Sequence, residues 1–125
     1  MKKLSKIILT PLEKTAVFVP AQKKYNVLMQ VYEAGSWKWC NGYLPTKDNC
    51  WKDYKEETCV DMGMNFITKK EVGVGYGNRE FYNEQNYNII SVKKFYEMQK
   101  ITNKTLKELE NWFEEYKPNR KSKGN

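Results

Sequence analysis

Residues 25–33 read YNVLMQVYE, and the period of their apolar side chains decides the fold. Tyr25, Val27, Met29 and Val31 fall on one face of a period-two pattern, and Asn26, Leu28, Gln30 and Tyr32 on the other. Period two is the signature of a strand. Ala34, Gly35 and Ser36 then make a tight turn, and residues 36–42, SWKWCNG, return with Trp37 and Trp39 on one face and Lys38 and Cys40 on the other. The pair reads as a β-hairpin.

Toward the N-terminus, residues 15–19 (TAVFV) form a short strand stopped by Pro20, with AQKK after it as a turn. Residues 4–10 (LSKIILT) form an earlier strand with Pro11 at its end. Toward the C-terminus, Asn41–Gly42, Pro45 and Asp48–Asn49 are turn signals, and WKDYKEE at 51–57 is a single helical turn or a loop. Residues 59–68 (CVDMGMNFIT) alternate as a strand with Gly63 as a bulge, and residues 87–92 (YNIISV) give another.

Ser91 caps a helix through about Lys100 that carries Phe95 and Met98. Thr105 and Glu108 form a capping box for a second helix, with Leu106, Leu109, Phe113 and Tyr116 in its apolar stripe and Pro118 as its stop. Strands first and helices last predict an α+β fold: an antiparallel, twisted sheet of about five strands with one or two C-terminal helices packed on one face. Residues 1–117 form one domain, and 118–125 (PNRKSKGN) a basic, disordered tail.

The chain has no histidine. That removes the commonest general base, the commonest metal ligand and every Ser-His or Cys-His relay. Cys40, Cys50 and Cys59 match no CxxC spacing, so neither a metal nor a cofactor is expected. The start, MKKLSKIILTPLEK, resembles a signal peptide, but Pro11, Glu13 and Lys14 cut its apolar run short. No run reaches a membrane span. The expectation is a cytoplasmic protein with reduced thiols, or a Cys40–Cys50 pair if the protein is exported.

The net charge of +7 rests on 20 lysines against 2 arginines. That is a diffuse field rather than a set of bidentate readers. Residues 36–59 hold three of the four tryptophans, with Trp37, Trp39, Trp51, Tyr43 and Tyr54 interleaved with Lys38, Lys47, Lys52 and Lys55. Aromatics beside cations suit protein anchoring, nucleotides or single strands. Trp37 is assigned to the core. Trp39, Tyr43, Lys47, Trp51, Lys52, Tyr54 and Lys55 are the candidate binding residues, and Trp39→Ala or Trp51→Ala is expected to abolish binding at unchanged thermal stability.

The glycines of GVGYG at 73–77 lack both the P-loop ending and the dinucleotide spacing. They read as a bulged strand or hairpin, and if a ligand does sit there, Arg79 with the amides of Gly75 and Gly77 would meet an anion. A helix-turn-helix at the C-terminus is rejected for DNA because its second helix carries Glu108, Glu110, Glu114 and Glu115.

The expected function is a small non-enzymatic binding or inhibitor protein. Size and composition suit a phage or mobile-element accessory protein that sequesters a host protein or a nucleotide-type ligand. Single-stranded nucleic-acid binding is the alternative. A small hydrolase working with carboxylates is a third reading, but no carboxylate pair has a spacing that forces convergence.

Overall fold

The computed structural model describes residues 7–65 and 70–112. The elements run β1 (Thr15–Phe18), α1 (Gln22–Ala34), α2 (Trp51–Tyr54), β2 (Thr58–Asn65), β3 (Lys70–Asn78), α3 (Arg79–Glu84), β4 (Asn88–Ser91) and α4 (Val92–Met98). A last helix, α5, covers residues 103–112. Among the described residues the sheet has four strands in the order β3-β2-β1-β4. The fold is α+β, but the sheet is mixed: β1 is antiparallel to β2 and parallel to β4. The strands expected at 15–19 and 87–92 are present as Thr15–Phe18 and Asn88–Ser91, and the one expected at 59–68 as Thr58–Asn65, with 66–68 outside the described residues. The expected sheet of about five antiparallel strands is only roughly matched: four strands are present among the described residues, and the β1–β4 pair is parallel. A parallel pair needs a long crossover, and here the whole chain between β1 and β4 supplies it.

Residues 25–33 are helical, not a strand, and AQKK is the entry to α1 rather than a turn. Tyr25, Leu28, Met29 and Tyr32 are buried at helical spacing, with Val31 beside them. In so apolar a segment the period-two set is a partial echo of this stripe. Gln22, Lys23, Lys24, Leu28, Met29, Gln30, Glu33 and Ala34 are strong helix formers, and they decide the outcome. The turn at 34–36 is the helix end. Ser36 takes a left-handed φ of 67°. Its N–H reaches Glu33 O at 3.0 Å and the next N–H, of Trp37, reaches Tyr32 O at 2.9 Å. That is a Schellman closure. α3 and α4 end the same way, with Asn86 and Lys100 in the left-handed position.

The predicted hairpin return at residues 36–42 is instead a short edge segment. Trp39 bridges Val74 in parallel. Val74 N donates to Lys38 O at 2.8 Å, and Cys40 N donates to Val74 O at 3.2 Å. Of the predicted strand at 4–10, residues 4–6 lie outside the described residues and 7–10 are not in the sheet. Its alternation is real: Ile7 and Leu9 are buried, Ile8 and Thr10 exposed. The partner is a side chain, since Gln99 accepts from Thr10 N and donates to Thr10 O, both at 2.7 Å.

The main core lies between one sheet face (Val17, Val60, Met62, Val74) and α1, α4, α5, Trp37 and Trp39. A smaller cluster of Ala16, Cys59 and Tyr82 fills the opposite face under α3. The ladder between β2 and β3 shifts register between Gly63 and Met64, but the extra residue is Val72, so the bulge lies in β3 opposite Gly63 rather than at Gly63 itself. Ser91 Oγ caps α4 by accepting from Lys94 N at 3.0 Å, as read from the sequence. The α5 cap lies one turn earlier than expected: Thr102 Oγ1 accepts from Thr105 N at 3.2 Å, so Thr105 is inside the helix. The predicted tail, 118–125, lies outside the described residues.

Candidate functional site

The segment from Asn41 to Glu57 consists of turns and single helical turns, and buried or half-buried polar groups fasten it. Tyr25 from α1 donates its hydroxyl to Asp48 O at 3.1 Å and accepts from Cys50 N at 2.9 Å. Glu33 accepts from Thr46 N at 3.0 Å and from Thr46 Oγ1 at 2.6 Å. Trp39 Nε1 donates to Pro45 O at 3.3 Å, and Trp51 Nε1 to Val19 O at 2.9 Å. Side chains of α1 and two indoles thus fasten the loop to the core, which lets it present a defined surface.

That surface is an aromatic ledge. Tyr76, from β3, packs edge-on against Trp39 with ring centroids 5.8 Å apart and tilts against Tyr54 at 5.9 Å. The Tyr76 hydroxyl donates to Asp53 Oδ2 at 2.5 Å, and this bond, more than burial, pushes its ionisation well above the ordinary tyrosine value. Tyr43, Tyr54, Leu44 and Tyr76 are 61%, 41%, 40% and 37% exposed, whereas Trp39, packed against Tyr76, is 5% exposed. The turn that carries Tyr43 is held to Trp39 by Trp39 N donating to Tyr43 O at 2.9 Å and Gly42 N donating to Trp39 O at 2.7 Å.

The expected binding residues therefore divide. Tyr43, Tyr54, Lys47, Lys52 and Lys55 are exposed; Trp51 is half-buried and spends its N–H on the backbone; Trp39 is core. Tyr76 joins the ledge although the sequence reading placed it in the glycine stretch. Its signal is the alternation of β3, which puts it on the face opposite to Gly75 and Gly77.

The glycines serve packing. Gly75 stands opposite Asp61 and Gly77 opposite Cys59. Val74 turns its N–H and C=O to Lys38 and Cys40, so those of Gly75 and Gly77 point into the ladder with β2. A Cβ on Gly75 would lie 2.9 Å from Asp61 Oδ1, and one on Gly77 3.3 Å from the Tyr82 ring. A carboxylate, not an open cradle, fronts Gly75. Arg79 pairs with Glu57 at 3.5 Å and lies over the Phe18 ring at 4.8 Å. This geometry lends the anion reading no support.

The charge around the ledge is balanced. Between residues 36 and 57, Lys38, Lys47, Lys52 and Lys55 face four acids, Asp48, Asp53, Glu56 and Glu57, so the net +7 of the chain is carried elsewhere. All three cysteines are free thiols. Burial pushes the Cys59 thiol up to about 11. Among the described residues no group of three or more Cys, Asp or Glu is placed to hold a metal ion, and no helix is long and apolar enough to cross a membrane. The chain matches no protein-family model, no curated protein and no solved structure.

Proposed function

We propose that this chain is a small, non-enzymatic binding protein that engages a protein partner through the ledge of Tyr43, Leu44, Tyr54 and Tyr76. The observation that carries this reading is the exposure of four large side chains, two of which, Tyr54 and Tyr76, are in ring contact, with Tyr76 packed in turn on the buried Trp39. Tyrosines on a preorganised base are typical interface anchors, because they offer large contact area at little entropic cost. The balanced lysines and acids around them suit a polar rim.

The same balance weighs against the nucleic-acid alternative, which needs a surplus of cations facing the phosphates. The test is capture from lysate with and without nuclease, comparing the full chain with a Tyr43→Ser, Tyr54→Ser double variant. The expected result is a partner retained after nuclease and lost with the double variant at unchanged unfolding midpoint. Capture that nuclease abolishes would favour nucleic acid, and partners that survive the double variant would remove the ledge from the reading.

A further inference from the structure

Away from the ledge, α1, α4 and α5 border a solvent-open groove of about 750 Å³. Val27, Val92, Ile101, Leu106 and Tyr96 make it predominantly apolar. Lys23 and Lys24 line its α1 side and Lys93 its α4 side, all exposed, and Glu97 is the one acid among the described residues that line it. Unlike the ledge, the groove therefore carries a net positive rim. Its size is in the range of roughly 300–1000 Å³ typical of ligand sites.

We propose that this groove docks an acidic amphipathic helix of a partner protein. The apolar floor calls for an apolar stripe. The ammonium groups stand on two different helices, so an occupant that meets both needs carboxylates on both flanks of that stripe. A helix with apolar anchors at i, i+3 or i+4, and i+7 and with Glu or Asp beside them has this arrangement. A fatty acid offers one anionic head and answers one wall only. Nucleic acid would leave the apolar floor unused. The site is separate from the ledge and does not depend on it.

The probe is a fluorescein-labelled synthetic helix with Leu anchors and Glu flanks, titrated against the full chain by anisotropy beside a twin with Lys flanks. The Glu peptide binds, and the Lys peptide binds about tenfold or more weakly, the scale of a few rim ion pairs turned repulsive. A Lys23→Glu, Lys24→Glu, Lys93→Glu variant reverses that preference, and the Tyr43→Ser, Tyr54→Ser variant leaves it unchanged, which separates this site from the ledge. Equal binding of the two peptides, binding of neither, or a preference that survives the charge reversal overturns the proposal. So does saturable binding of laurate without binding of the Glu peptide, which would assign the groove to a small amphiphile. A dimer that the charge reversal dissolves would likewise assign it to a second copy of the chain.

Discussion

Tyr82 reaches across the sheet face that Gly75 and Gly77 leave clear and donates its hydroxyl to Asp61 Oδ1 at 2.6 Å. Burial raises the Asp61 pKa above the ordinary aspartate value, and the Tyr82 bond partly opposes that rise. A raised carboxyl pKa means that the folded chain holds this proton more tightly than the unfolded chain does. The Asp61 contribution to stability therefore falls as pH rises from the ordinary aspartate value through the raised one. In Asp61→Asn this component is absent. Urea denaturation of both proteins between about pH 4 and pH 7 isolates it, because the other carboxylates are common to the two. A difference between the proteins that does not change with pH would count against the shift. Tyr82→Phe is expected to cost about 1.5–3 kcal/mol at neutral pH, and less as Asp61 protonates.

Three glycines of β3 are expected to differ in their tolerance of alanine. Gly73 has a φ of +128°, and a Cβ there would sit 2.9 Å from the Cys40 backbone, so both conformation and space forbid it. Gly73→Ala should cost about 2–5 kcal/mol. Gly75→Ala collides with a side chain, the Asp61 carboxylate, and should cost about the value of the Tyr82 bond that it disturbs. Gly77→Ala needs a shift of a few tenths of an ångström in the Tyr82 ring and should cost below about 1 kcal/mol. Chemical denaturation ranks the three, and an equal loss at all positions would contradict the packing described.

Two tyrosines of α1 make a matched pair. Tyr32 is fully buried, and its hydroxyl has no hydrogen-bond partner among the described residues. Tyr32→Phe should be neutral or stabilising by up to about 1 kcal/mol. Tyr25→Phe removes the bonds to Asp48 O and Cys50 N and leaves the buried Cys50 amide unpaired. It should cost about 1–3 kcal/mol and loosen the loop under the ledge. Thermal melts check the signs, and hydrogen exchange at Cys50 checks the location.

Trp39→Ala is expected to destabilise by about 3–5 kcal/mol, because it empties a core position and frees the Pro45 carbonyl. This reverses the expectation, drawn from sequence, of lost binding at constant stability. Tyr54→Ala, on the exposed side of the same ring chain, should leave the melting temperature within a few degrees, as expected for a change below about 1 kcal/mol.

The thiols should separate by access. Cys40 is exposed, Cys50 and Cys59 are buried, and burial raises all three ionisations. A thiol reagent should modify Cys40 in the folded protein, slowly at neutral pH and faster as pH rises, and Cys59 only after unfolding. Rapid labelling of Cys59 under native conditions would show that face of the sheet to be open.

Features set by short-range chemistry were legible in the sequence. The Ser91 cap follows from nearby residues, and so does the single turn at 51–54, one of the two forms expected there. The α1 segment was not legible, because its apolar residues satisfy two periods and its end carries Ser36, rather than a glycine, in the left-handed position. The parallel pairing of β1 with β4 was not legible either, since no local pattern records which distant strand lies alongside. At the ledge, aromatic and lysine content pointed to the region. Which rings face outward depends on Trp39 lying against Val74, a contact made across 34 intervening residues.

That β1 lies between β2 and β4 has a consequence for synthesis. Thr15–Phe18 leaves the ribosome before both its sheet neighbours, the second of which comes only at Asn88–Ser91. The Thr10 backbone waits longer still for the Gln99 amide. The nascent chain must therefore carry Val17, Val19 and the α1 stripe without their full cover until β4 and Gln99 have emerged. Such distant contacts make for slow closure and a long interval of exposed apolar surface. Chains halted before Gln99 should be the aggregation-prone species in translation, whereas chains extended past it can cover β1 and the Thr10 backbone.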